Sequence, residues 1–457
     1  MAKLNYVRFI LVLLLFSSIF LLWGNPAGDD IALARSIFLS SEPNDYLGAF
    51  GTVFYGLFPS VVSSWWHSLL LFQLIISFIG LNLVHNALNK TSLKVDFLYV
   101  TFSYFALLMA GASSRDGTMI SLLLFAVGLL SYSFTRVNLK SSQILKVLVF
   151  ALLISCFSFR PWLSVVIAPV FYWSLIMTRK STVNLNYIMT LSTAVILLFA
   201  PAFTDQAVKR IFGLDHGYPE QMVMIHDLST TYCWGSNSKA VAYAYQGLQQ
   251  IAVNTNELKH LCQFYRPNTW QAVVFPNSKD LSINGLPVPL KLIAVNEESK
   301  YKIVRSSWLN SIKYDPFGYV QNHLMFGTQV MISGEMRELK IINTIKKGIS
   351  EPDFDTALIL ARNLISIPYD LFRSFHVFSP TVALMIFFLC IRRVKHPIEN
   401  KVVQIYFISF SSWIIMTTIG FASDNGRYTY GAVILCYLGF FLSKCSSNQN
   451  NALGKIK

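Results

Sequence analysis

Residues 66–86 read WHSLLLFQLIISFIGLNLVHN, a run with no Asp, Glu, Lys or Arg. A helix of this length spans the ~30 Å hydrocarbon core of a bilayer. Working outward, apolar runs of similar size recur at 5–23, 95–112, 117–135, 143–159, 161–178, 185–203, 376–392, 402–422 and 428–444. The runs 143–159 and 161–178 meet at Arg160-Pro161. Composition agrees. The chain is 54% hydrophobic and only 13% charged, where a soluble domain carries about a quarter charged residues. Segments facing lipid must satisfy their backbone groups internally, which favours helices. The predicted fold class is therefore all-α: a polytopic membrane protein with about ten transmembrane helices. Met1 to Trp23 carries Lys3 and Arg8 ahead of its apolar run, and no clean small-x-small cleavage site follows. It reads as an uncleaved first helix.

Charge orients the spans. With the N-terminus inside, the inner loops carry Lys90, Lys94, Arg136, Lys140, Lys146, Arg179 and Lys180, then Arg392, Arg393, Lys395 and Lys401. The short outer loops carry only Arg35, Arg115, Arg160 and Arg427. That asymmetry predicts an N-in, C-in topology. It also accounts for the net charge of +14 without a nucleic-acid partner, because the basic residues are scattered and form no stripe.

Residues 204–375 break the pattern with mixed charges and Pro, Gly and Asn punctuation. The predicted organisation is thus a transmembrane region with the first outer loop (1–203), one large extracytoplasmic α-rich loop domain (204–375), and a C-terminal transmembrane region with a cytoplasmic tail (376–457). Cys233 and Cys262 are the cysteines in the outer segment, a candidate disulfide pair in an oxidising compartment. Residues 357–375 alternate apolar side chains with Arg362, Asp370 and Arg373. They fit a helix on the membrane surface or one packed on the loop domain.

The informative residues are the charges on the outer face. Asp29 and Asp30 follow the first helix by about one turn. They suit a general base for an acceptor hydroxyl, a divalent-metal ligand, or the cap of a helix over 31–39. Arg115-Asp116-Gly117 fills a short turn, where Asp116 either caps the next helix or orients an arginine toward an anion. Arg160 precedes Pro161 and Trp162, and either snorkels or contacts an anion. Asp424, Asn425, Gly426, Arg427 and Tyr428 form the last outer turn. Arginine disfavours the outside, so Arg115, Arg160 and Arg427 are exceptions that call for a reason, and their forked donors suit phosphate. In the large loop, His226-Asp227 is a poor dyad if it lies on a strand, where neighbours point to opposite faces. A lone His226 is more often structural. Trp308 to His323, with Asp315-Pro316 inside, predicts a helix, a break and another helix. His323 has no second His at i+4, and the chain has no Walker loop, no GxSxG and no GxGxxG in a strand–helix unit. No cofactor is indicated beyond the possible divalent metal.

On these residues the chain resembles the GT-C superfamily of membrane glycosyltransferases. Gly28-Asp29-Asp30 matches the acidic motif after the first helix, and Arg115-Asp116-Gly117 the acidic turn that opens the fourth. Arg160-Pro161 and Arg427-Tyr428 match the basic positions of later turns. Its large loop, with His226-Asp227-Leu228-Ser229 and Trp308…Asp315-Pro316…Tyr319, is similar to that of uncharacterised bacterial members. The chain departs from the family in lacking a proline-rich continuation after Tyr428 and in a large loop with no recognised catalytic signature. The resemblance implies an enzyme of the bacterial inner membrane that moves a sugar on the extracytoplasmic face. The donor is a polyprenyl-phosphate-linked sugar, and the acceptor is a glycan, lipid or protein of the cell surface. Asp29 or Asp30 serves as base. Arg115, Arg160 and Arg427, with Asp116, Asp424, Tyr428, His226 and Asp227, bind substrate. A surface-polysaccharide polymerase or ligase also suits the outer arginines and the large loop. A lipid-linked glycan transporter predicts charges in mid-membrane, which these helix centres nearly lack. A non-catalytic scaffold predicts tolerance to loss of every outer charge.

Overall fold

A computed structural model describes residues 29–40, 43–45, 48–61, 65–87, 93–110, 115–136, 139–160, 183–218, 220–252, 255, 258, 261–264, 282–283, 286–287, 297–333, 379–393, 406–408, 410–411, 413–415 and 431–441. The predicted runs 5–23 and 161–178, the segment 357–375, and Asp424, Arg427 and Tyr428 lie outside them.

The described chain is mostly helical. A first group comprises α1 (Asp29–Phe38), α2 (Ala49–Leu57), α3 (Trp65–Ala87), α4 (Leu93–Ala110), α5 (Arg115–Arg136), α6 (Leu139–Ser158) and α7 (Val183–Phe212). The outer segment adds α8 (Gln221–Trp234), α9 (Ser238–Gln249), α10 (Leu261–Phe264), α11 (Glu298–Tyr314) and α12 (Pro316–Ser333). An antiparallel pair of short strands, Ser282–Ile283 and Leu286–Pro287, interrupts the all-α pattern. Then comes α13 (Pro380–Arg393), followed by helical stretches Tyr406–Ile415 and Gly431–Phe441.

Among the described residues, two helices are long and apolar enough to cross a membrane, Ser68–Asn86 within α3 and Arg115–Tyr132 within α5. These two pack directly on each other. Their backbones meet at paired glycines: a Cβ on Gly80 would fall 2.4 Å from the Leu124 carbonyl, and one on Gly128 would fall 2.4 Å from that of Gly80. Small residues at a crossing let apolar helices gain dispersion contact where no hydrophobic effect drives them together. Polar side chains inside are satisfied locally. Ser77 and Ser131 donate to carbonyls one turn back, at Gln73 and Val127, as such residues do within helices. A core of Leu70, Leu74, Leu107, Met119, Phe157 and Phe441, with their neighbours, joins α3 to α6 with the two C-terminal stretches. Apolar side chains also face outward. Ile144, Val147 and Leu148 are exposed on α6, as are Val195, Ile196, Phe199 and Phe203 on α7.

α7 runs on past the predicted span end at 203 to Phe212, so a continuous helix crosses the expected domain boundary. Helices α8, α9 and α11 surround a second core of Ile225, Leu228, Ala244, Leu248, Tyr301 and Val304. Ala240, Ala244, Gly247 and Leu248 form the buried stripe of α9, a helical spacing. A disulfide joins Cys233 on α8 to Cys262 on α10, with Cα atoms 5.1 Å apart.

Candidate functional site

The first outer segment folds back over the ends of the helical bundle. Asp29 and Asp30 lie on α1, within the described helix Asp29–Phe38. At the other end of α1, Arg35 donates from Nη1 to the carbonyls of Tyr55 and Phe58, both at 3.0 Å. These carbonyls lie at the C-terminal end of α2, where that of Tyr55 also accepts from the Phe58 N–H at 3.4 Å. The Arg35 guanidinium also sits 4.9 Å from the Trp65 ring centre, a cation–π contact. One arginine thereby ties α1, α2 and the start of α3.

α2 is placed by α7. Gly48, at φ 86°, allows the entering turn that a side chain would strain. Asp205 on α7 accepts from the Phe50 N–H at 2.8 Å, capping α2 from another helix. Burial pushes the Asp205 carboxyl up from its usual range, and the Asp45 charge adds to this. The Phe50 N–H and Lys209 work in the opposite sense. Asp45 is itself buried. It receives Lys209 Nζ at 2.6 Å and the Gly217 N–H at 2.5 Å, and His216 Nδ1 lies 3.1 Å from both its oxygens. Beside it, the backbone of Asp45 donates to Asp215 and that of Asp215 donates to Pro43, both at 2.9 Å.

So placed, α2 lies across the start of α5 and the end of α6. The Tyr55 hydroxyl is 2.8 Å from Thr118 Oγ1, to which Gln73 also donates at 2.7 Å. Phe50 and Phe54 meet Phe159 edge-on at 5.0 and 5.2 Å. A Cβ on Gly51 would be 3.6 Å from Phe159 and 3.8 Å from Arg115 Cδ, ordinary contact distances that place this face of α2 beside both. Next to Arg115, Asp116 is held by Arg160 through two parallel bonds, Nε to Oδ1 at 2.7 Å and Nη2 to Oδ2 at 3.0 Å. Both side chains are buried. This fork geometry is the strong form of an arginine–carboxylate contact.

The structure thus brings the second and third motifs together at Asp116 and Arg160, with Arg115 beside them and Gly51 of α2 close by, and the side chains of Asp29 and Asp30 lie outside the description. The loop carrying Asp424, Arg427 and Tyr428 is not described, but the helices on either side of it are. Trp413 meets Phe157 at 6.4 Å, one turn below Arg160, and a Cβ on Gly431 would run into the Trp413 ring.

His226 and Asp227 belong to the other core. They lie on α8, a helix and not a strand, beside buried Ile225 and Leu228. Asp227 Oδ2 accepts from Trp308 Nε1 at 2.8 Å, Oδ1 is 3.1 Å from His323 Nε2, and His226 Nδ1 is a more distant electrostatic neighbour at 3.9 Å. Burial alone would raise the Asp227 carboxyl. The contacts with His226 and His323 outweigh it and bring the group below its ordinary range. Tyr319, whose ring is 4.4 Å from that of His323, has its hydroxyl pushed up by burial and by the Asp227 charge.

Sequence reasoning missed Arg35, Asp45, Asp205, Lys209 and His216. The signal for Arg35 was its place on the outer side, against the charge rule. For the others there was none, because their partners are far apart in the chain. Among the described residues no group of three or more His, Cys, Asp or Glu is arranged to hold a metal ion. No family model matches the chain, and no curated protein or solved structure matches it.

Proposed function

We propose that the protein is a membrane-embedded glycosyltransferase of GT-C type, with about ten spans in an N-in, C-in topology and its site on the extracytoplasmic face of a bacterial inner membrane. The apolar residues exposed on α6 and α7 support the embedding, since such faces need an apolar surround. The observation that carries the functional reading is the convergence of α2 on Arg115, Asp116 and Arg160. Segments that are far apart in sequence, at Gly51, at Arg115-Asp116 and at Arg160, meet around two guanidinium groups.

Asp116 already occupies the fork of Arg160, so Arg160 is a positioning residue that fixes the end of α6 against the start of α5. Arg115, under Gly51, is the group assigned to the lipid phosphate, with Arg427 from the last outer turn. Asp29 or Asp30 takes the proton of the acceptor hydroxyl. The hydroxyl oxygen then attacks the anomeric carbon while the carbon–oxygen bond to phosphate breaks. The bonding pair leaves on the phosphate oxygen, and the configuration inverts. Fixed positive charge at the departing phosphate lowers the barrier because it is in place before the charge develops.

The test is to delete the gene, profile the cell-surface glycans, and restore either the wild type or Asp29→Asn/Asp30→Asn at matched membrane abundance. The expected result is a missing sugar that only the wild type restores. Equal restoration by the double variant sinks the proposed base, and the polymerase or ligase reading then takes its place.

A further inference from the structure

Two neighbouring helices of the outer segment turn opposite chemistry outward. α11 exposes Glu298, Lys302, Arg305, Ser306 and Lys313, with Leu309 the one large apolar side chain among its described exposed residues. α12 exposes Phe317, Val320, Gln321, Leu324, Met325 and Thr328, at helical spacing along one face. Phe317 is 79% exposed and Leu324 61%. From Pro316 to Ser333 there is no charged residue. The inward side of α12 carries polar groups instead: Tyr319, and His323 against Asp227. A helix between a protein core and water has the reverse arrangement, apolar inside and polar outside.

The orientation of α12 is set from two places. Asp315 Oδ1 accepts from the Gly318 N–H at 2.8 Å and so fixes its start. The Asp227–His323 contact then pins the rotation about its axis, since one residue of slip turns a helix by about 100°. α12 packs against α13, one of the apolar helices of the predicted C-terminal spans, which itself exposes Met385 and Phe388. Both of these packed helices thus expose large apolar side chains.

We propose that α12 lies in the interfacial layer of the bilayer, with Phe317, Val320, Leu324 and Met325 inserted among the lipids, and seats the outer domain on the membrane surface. The charged face of α11 stays in water. Helices with one large apolar face bind lipid in this way. The proposal rests on the reading that the chain is membrane-embedded and on no assumption about its activity.

The full-length protein carrying the photoreactive residue p-benzoyl-phenylalanine at position 317 or 324 tests this in nanodiscs of phosphatidylethanolamine and phosphatidylglycerol. Position 305 serves as the water-facing control and position 199 on α7 as the span control. All four side chains are exposed, so the substitutions disturb little packing. Illumination should yield phospholipid adducts at 317, 324 and 199, and none at 305. Lipid adducts at 199 with protein adducts, or no adduct, at 317 and 324 overturn the seating of α12 alone. No lipid adduct at 199 overturns the embedding as well.

Discussion

Asp116 and Asp227 are both buried aspartates bound by side chains from other helices, but their partners differ in kind. Asp116 is gripped by the fork of Arg160, which stays protonated at any pH the protein meets. Asp227 shares its two oxygens between the Trp308 indole N–H and His323, a group that titrates. The first contact fixes the ends of two helices beside α2. The second is a joint inside the outer domain whose strength depends on protons. Both carboxylates are engaged by these partners.

The largest effect should follow from breaking the fixed pair. Arg160→Ala leaves a buried carboxylate without its partner and should cost about 3–5 kcal/mol, read as thermal unfolding in detergent. Replacing both partners with apolar residues, Asp116→Leu/Arg160→Met, should return most of that stability while sugar transfer stays lost. A double variant as unstable as the single one would mean that the pair does more than neutralise itself. Next in size, Cys233→Ser/Cys262→Ser frees a loop closed across 29 residues and should cost the outer domain roughly 2–4 kcal/mol, with the bundle helices unchanged in hydrogen exchange.

Asp227→Asn removes the charge from the second pair and should cost about 1.5–3 kcal/mol. Its pH signature is specific. The folded carboxyl titrates below its unfolded value of about 3.9, so its stabilisation is present above that pH and is lost as pH falls through the folded value. Amide exchange in α8 and α11 should rise with acid in the wild type, and the Asn variant should lose this component. The smallest effect is expected at the surface. Lys302→Ala breaks an exposed ion pair with Glu298 at 2.8 Å and should leave the thermal midpoint where it was.

How far the sequence could be read depended on how local the cause was. The run 66–86 falls within α3, and 117–135 within α5, because charge and polarity bound both. The run 185–203 understates α7. Hydropathy falls at Thr204, Asp205 and Lys209, but the helical hydrogen bonds continue, and those polar residues serve α2 and Asp45. The Asp315-Pro316 break falls where the chain passes from α11 to α12. Arg115, Asp116 and Arg160 stood out as misplaced charges, but nothing local says that Asp116 and Arg160, 44 residues apart, hold each other. The Asp45 cluster was invisible for the same reason, with partners 164 and 171 residues away. His226-Asp227 was noticed as a pair, yet the chemical partners of Asp227 are Trp308 and His323, brought in by packing.

The central claim is that the outer-face cluster under α2 recognises a lipid-linked phosphate. The direct measurement is the retention of polyprenyl phosphate, against the matching polyprenol without phosphate, by the purified protein and by Arg115→Gln in native mass spectrometry. The wild type should retain the phosphate form preferentially, and the variant should weaken that preference by about 10- to 100-fold, the worth of one charge-assisted hydrogen-bonding group. Equal retention of the two lipids by the wild type, or an unchanged preference in Arg115→Gln, would contradict the account.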